Sequence, residues 1–354
     1  MSRKRAAAAV ALLGILALLV SACGGGGSST GAAGTSGGTT GGKSIKVGLV
    51  TDIGGLNDRS FNHLAFVGLK QAESQFGVQG RVLTSTQNSD YVPNLSSLAQ
   101  QGYDLVIGVG FLMADAMATV AAKYPNTDFA IIDYSAAALK GKPKNVEGLL
   151  FAEQQAGYLA GYLAGLAEKQ NIVRTRPGPN IISSVGGQKI PPVDHYIAGY
   201  QYGANKAAPG IKTLNGYSQD FVAQDKCKNI ALNQIQAGSD VVFQVAGGCG
   251  LGALDAAKTK GVWGIGVDAD QSYLGPYILT SAVKKVNVAV VHVITQVQNG
   301  AFKGGTDYVS TVANNGVGIG KISSQVPADI VAKVEAQEKL LAAGKLTDIP
   351  TTVK

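Results

Sequence analysis

From Ile45 onward, short apolar blocks alternate with amphipathic stretches of helical period. Ile45, Val47, Leu49 and Val50 form a buried strand that stops at Asp52. Gly54-Gly55 lets the backbone turn sharply. Asn57, Asp58 and Ser60 are helix-start residues, and Leu64, Phe66, Val67 and Leu69 continue with helical spacing. The pattern predicts strands at 45–50, 80–84, 104–109, 128–133 and 146–150, with helices at 60–75, 93–101, 112–123 and 153–168. It resumes with strands at 180–185, 211–216, 240–245, 262–267 and 278–282 and helices at 192–207, 226–237, 251–260 and 285–300. A weak strand near 307–312 and a helix at 327–343 close the chain. Two runs of alternating strand and helix predict an α/β protein with two doubly wound parallel sheets. On the helix at 153–168, Gly157, Gly161 and Gly165 form a stripe that allows close backbone approach to a neighbouring sheet or helix.

Several strands end alike. Val106-Ile107 runs into Gly108-Val109-Gly110-Phe111, and Ala130-Ile131-Ile132 ends at Asp133. In the second run, Ile182–Val185 ends at Gly186-Gly187, Val241–Phe243 leads to Gly247-Gly248-Cys249-Gly250, and Gly264–Val267 ends at Asp268. Ligands bind outside the carboxyl ends of strands in open α/β sheets. Two such rims face to face have the geometry of a hinged binding protein. On the first rim, Asp52, Asn57 and Phe61 share one loop, where a carboxylate and an aromatic ring can grip a polar, flat molecule. The plainer alternative makes Asp52 a helix cap and Phe61 a core residue.

The first 42 residues are of another kind. Arg3, Lys4 and Arg5 precede an apolar run from Ala6 to Val20, shorter than the roughly 20 residues of a membrane span. Leu19-Val20-Ser21-Ala22-Cys23 resembles a bacterial lipoprotein signal, so residues 1–22 are expected to be removed and Cys23 lipidated. Residues 24–42, rich in glycine, serine and threonine and free of charge, make a flexible tether. Gly37 to Ser44 spells a phosphate-binding-loop pattern, but it follows a linker and precedes a strand, the wrong context for one.

The net charge of +7 includes the three positives of the leader, which leaves about +4. No basic cluster or basic-aromatic stripe stands out, so nucleic acid is not an expected partner. After Cys23 only Cys227 and Cys249 remain, and an exported compartment permits a bridge. They fall at a helix start and just past the next strand's end, the same sheet edge, and so can meet; two buried thiols remain the alternative. His63, His195 and His292 are far apart, without the spacing of a triad or metal site, and no Gly-x-Ser-x-Gly elbow occurs. The glycines at 248–252, with Asp268 twenty residues on, mimic a dinucleotide fingerprint whose last glycine comes one residue early. The chain is therefore expected to be no enzyme and to need no metal or cofactor.

TDIGGLNDRSFN, GVGF, FAEQQAGYLAGYLAG, VGG followed by AGYQYG, AGGCGLG, IGVDADQ and ILTSAVKK occur in that order. Together they resemble the basic membrane protein family of lipoproteins, substrate-binding components of ABC transporters that include the purine nucleoside receptor. The resemblance implies a type I periplasmic-binding fold whose chain crosses between lobes three times. The lobes would be 45–150 with 283–305, and 151–282 with 306–354. It also implies a nucleoside in the cleft, purine favoured, with Asp52 on the ribose hydroxyls and Phe61 stacked on the base. Asp133, Gly247, Asp268 and Lys284 would contribute from the other strand ends. Here GYSQDFVAQDKC replaces a shorter family segment, so the second stacking ring is Phe221 or Tyr217. For Lys284 the plainer alternative is a solvated lysine beside Lys285. The implied protein is a monomer, lipid-anchored on the extracytoplasmic face of the cell membrane, that delivers its ligand to a permease. A simple sugar as ligand, or a sensor without a transporter, are the competing readings.

Overall fold

The computed structural model describes residues 44–353. The expected leader, Cys23 and the tether at 24–42 lie outside the described residues.

The first lobe begins with β1 (Lys46–Val50), α1 (Phe61–Phe76), β2 (Gln79–Leu83), α2 (Tyr91–Gln100) and β3 (Leu105–Gly108), and goes on through α3 (Ala114–Lys123), β4 (Asp128–Ile132) and β5 (Val146–Phe151). The chain then crosses into α4 (Glu153–Lys169), β6 (Ile181–Gly186), α5 (Pro191–Ala207), β7 (Lys212–Tyr217), α6 (Gln224–Gln236) and β8 (Val241–Val245). The second lobe continues with α7 (Gly247–Lys260), β9 (Trp263–Asp268) and β10 (Ile278–Lys284). The chain returns through α8 (Val286–Gln298), which packs beside α1, and β11 (Asp307–Ser310). It crosses a third time to β12 (Val317–Ile319) and α9 (Ala328–Ala342).

The first sheet has the order β11-β5-β4-β3-β1-β2 and the second β12-β10-β9-β8-β6-β7. The second lobe thus repeats the strand order of the first. One apolar cluster lines the inner face of both sheets under α1, α8, α4 and α5; each outer face has its own, under α2 and α3 or α6 and α7. Central strands are buried on both sides, which is why Leu105–Ile107 and Val241–Phe243 read as unbroken apolar runs.

The glycine stripe on α4 meets α5. A side chain at Gly157 or Gly161 would run into the backbone of Tyr196 or Tyr200, and one at Gly199 or Gly203 into the backbone of Gln154 or Tyr158. The two helices are glycine-faced toward each other and pack almost backbone to backbone.

Three expectations need correction. The strand near 307–312, assigned with the second lobe, is the edge of the first sheet, parallel to β5. Asp307 holds it there: its carboxylate accepts from Ala136 N at 2.7 Å and Ser135 Oγ at 2.6 Å, across the bare backbone of Gly148. The lobe boundary therefore falls after Ser310, and the boundary expected before residue 283 falls after Lys284, the last residue of β10 in the second sheet. The second sheet is not wholly parallel, because β12 runs antiparallel to β10. The glycines at 247–250, expected as a loop, are the first turn of α7. Their low helix propensity hides the start, while packing demands Gly250, which faces the Gln244 side chain.

Candidate functional site

The carboxyl ends of both sets of strands open onto one cavity between the lobes, about 620 Å³ with its mouth. The first lobe lines it with Asp52, Asp58, Phe61, Asn62, Phe111 and Asp133. The second supplies Tyr196, Phe221, Gly247, Asp268 and Lys284.

Asp52 follows β1 and is 8% exposed. Its Oδ1 accepts from Asn62 Nδ2 at 2.7 Å and Gly54 N at 2.9 Å. Oδ2 lies beside Gly110, where an added Cβ would stand 3.1 Å from it and 3.4 Å from the Phe61 ring. Gly110, at φ +118, thus keeps carboxylate and ring uncovered. Burial pushes Asp52 up to about 6 against these hydrogen bonds, with Asp58 and Asp268 adding to the rise. The helix cap is Asp58 and not Asp52: it accepts from Ser60 N, Asn62 N and His63 N at 3.0, 2.7 and 3.1 Å.

That cap decides the one misplacement in the loop. Asn57, expected as a ligand group, is exposed and lies outside the cavity, in a separate groove with Gln224 and Lys258. Asp58 folds back over the helix start, so residues 58, 60 and 62 turn inward and 57 turns out. Asn62 lines the cavity instead. Its Nδ2 bridges Asp52 and Asp58, at 2.7 and 3.0 Å.

Asp133 and Asp268 occupy equivalent places, just past β4 and at the last residue of β9, the fourth strand of each lobe. Both have left-handed backbones, φ +68 and +60. Such strain clusters at ligand sites, and aspartate tolerates it better than most side chains. Asp268 Oδ2 accepts from Ser60 Oγ at 2.7 Å, a bond between lobes, and Oδ1 from Tyr196 Oη at 3.2 Å. Burial raises Asp268, opposed by the Lys284 charge and the Ser60 and Tyr196 hydroxyls.

Lys284 ends β10 and is 2% exposed, so it is no solvated lysine. Its Nζ donates to both oxygens of Asp133, at 2.9 and 2.7 Å, across the lobes. It stands 4.8 Å from the Phe61 ring centre, 5.0 Å from Phe151 and 5.8 Å from Tyr196. Burial works against its charge; Asp133, Glu153 and Asp268 more than reverse this and hold it above the usual lysine range. Burial raises Asp133 in turn, against the Lys284 charge.

Between the two candidate rings, Phe221 lines the cavity and its ring covers Gly187, where a Cβ would collide with it. Tyr217 is engaged elsewhere, with its hydroxyl donating to Asp194 at 2.5 Å. Gly247 lines the cavity as bare backbone at φ +54, close to the Phe221 carbonyl. Cys227 and Cys249 are joined as a disulfide with Cα atoms 5.6 Å apart, tying the starts of α6 and α7 beneath this rim. Sequence reasoning missed Asn62, Tyr196, Phe111 and Glu153. Asn62 lay within TDIGGLNDRSFN and Glu153 within FAEQQ, but nothing local shows that either side chain is buried.

A family model described as Bmp, ABC transporter substrate-binding protein PnrA-like, matches residues 45–348. The chain belongs to this family. The ABC transporter nucleoside-binding protein BmpA of Lactococcus lactis is 35% identical over 327 residues, 86% of this chain and 88% of that one. The CD4+ T-cell-stimulating antigen of Listeria monocytogenes is 32% identical with the same shares. An uncharacterized lipoprotein of Pyrococcus horikoshii is 34% identical over 84% of this chain and 78% of its own. Among solved structures, an ABC transporter solute-binding protein of Aeropyrum pernix superposes with TM-score 0.77 at 25% identity, covering 86% of this chain and 94% of that one. As a Bmp-family member the protein is the substrate-binding component of an ABC transporter and not an enzyme. Its partners are a small-molecule ligand and a transporter permease. No helix among the described residues is long and apolar enough to cross a membrane.

Proposed function

We propose that the protein binds a nucleoside, purine favoured, in the cleft between its lobes and delivers it to the permease. The observation that carries this reading is the pairing of two aromatic rings from opposite lobes, Phe61 and Phe221, with carboxylates at the strand ends in one cavity. A nucleobase offers a flat face, and stacking on an aromatic ring is worth roughly 1–3 kcal/mol. Ribose offers vicinal hydroxyls, which ionised carboxylates accept through strong hydrogen bonds. The Lactococcus lactis relative, a nucleoside-binding protein by name, supports the same ligand class. The protein acts as a monomer, held to the extracytoplasmic face of the membrane through lipid on Cys23.

Calorimetric titration of a fragment starting at Ser44 with purine and pyrimidine nucleosides, free bases and simple sugars tests the ligand. A purine nucleoside should bind, and Phe61→Ala should weaken it about ten- to a hundred-fold through lost stacking. Tight binding of a simple sugar with no nucleoside bound would overturn the reading. Cys23→Ser should release the full chain from membranes and leave ligand affinity unchanged, since the tether separates lipid from fold. A Cys23→Ser chain that still fractionates with membranes would remove the anchor.

A further inference from the structure

Behind the cavity a row of ionisable groups runs from the cleft to the surface. Lys284 Nζ, bound to both oxygens of Asp133, also reaches Glu153 Oε1 at 3.3 Å. The other oxygen, Glu153 Oε2, meets His195 Nδ1 at 3.1 Å. The side chains of Lys284 and Glu153 are each 3% exposed and that of Asp133 is 5%, whereas His195 is 31% exposed. Lys284 ends β10 and Glu153 opens α4, so the two sit on two of the three crossings between lobes. The walls around the ammonium are the Phe61, Phe151 and Tyr196 rings, and the remaining charge facing it is Asp268.

Glu153 does not line the cavity, and its hydrogen-bonded link to a residue that does is through Lys284. Asp133 faces the ligand space, and a ligand hydroxyl that engages it competes with Lys284 for its oxygens. A buried ammonium left with a weakened partner is costly. A second carboxylate, fixed on its far side by an imidazole, keeps the ammonium in place. We propose that Glu153 is a positioning residue: held by His195, it fixes the charged Lys284 side chain against Asp133 and so sets the geometry of the ligand-facing cleft. The affinity part of the test rests on the nucleoside reading; the spectroscopic part does not.

In ligand-free protein labelled with ¹⁵N-lysine, the buried Lys284 ammonium should give a slowly exchanging signal, assigned by its loss in Lys284→Met. Glu153→Gln should shift or broaden that signal away. His195→Gln, a change near the surface, should shift it with melting temperature unaltered. An unchanged signal in Glu153→Gln would overturn the proposal. If Glu153→Gln does not fold, an unchanged signal in His195→Gln would do the same. For adenosine and guanosine, Glu153→Gln should weaken binding roughly tenfold or more, the size of a hydrogen bond to a charged group. In a Lys284→Met background the same change should matter less than about twofold. Equal losses in both backgrounds would show a merely structural role. A wild type that binds no nucleoside sinks the nucleoside reading and leaves the ammonium signal to decide the role of Glu153.

Discussion

At the scale of single residues, the cleft holds carboxylates whose burial disfavours their charge. Asp52 titrates at about 6, against an ordinary 3.8. A carboxyl raised in the folded state contributes stability that is present below about 4 and is lost as pH rises through about 6. Asp52→Asn should therefore leave the ligand-free protein unchanged near pH 4 and make it more stable at pH 8. The gain is on the order of 3 kcal/mol at most, at 1.36 kcal/mol per pKa unit. Ligand affinity should run the other way: the ionised form accepts hydroxyls, so nucleoside binding to the wild type should weaken as pH falls below about 6. Denaturant unfolding and titration calorimetry at pH 4, 6 and 8 check both signs. Equal pH profiles for mutant and wild-type stability would place Asp52 in contact with solvent. The positions of Asp52, Asp133, Asp268 and Lys284 were legible because each lies at or beside a strand end, and an α/β sheet sends strand ends to one edge. Asn57 was misplaced because the turn made by Asp58 depends on three backbone hydrogen bonds that no local pattern shows. The meeting of Glu153 and His195 was invisible, since it depends on how α4 and α5 pack.

At the scale of elements, the glycine seam between α4 and α5 matters most, because α4 opens at the hinge and α5 carries Tyr196 to the cleft. Gly161→Ala would drive a methyl into the Tyr200 carbonyl. It should destabilise the protein by about 1–3 kcal/mol, the usual cost of overpacking, seen as a lower denaturant midpoint with an unchanged slope. A midpoint equal to wild type would mean that the helices are not in backbone contact. The four-residue glycine spacing announced a close approach, and the structure supplies the partner, a second helix with glycines of its own. The order of strands and helices was legible throughout, since the apolar runs are long and well separated. The sheet membership of β11 and the direction of β12 were not. A strand of three or four residues carries too little pattern to say which edge it joins, and here the contacts of Asp307 decide the place of β11.

At the scale of the whole molecule, two lobes of the same strand order face each other across a cleft and are bonded across it by Ser60 to Asp268 and by Lys284 to Asp133. A ligand that engages both rims favours this bonded arrangement only by its greater affinity for it. Family and fold were legible because seven ordered motifs span nearly the whole chain after the tether; the ligand was not, since carboxylates and rings suit sugars as well as nucleosides. The most direct measurement is a crystal structure of a fragment starting at Ser44 grown with saturating guanosine. The lobes should be closed, with the base between Phe61 and Phe221 and ribose hydroxyls within hydrogen-bond distance of Asp52 and of Asp133 or Asp268. Guanosine bound outside the cleft, or a cleft left empty at saturation, would overturn nucleoside binding between the lobes.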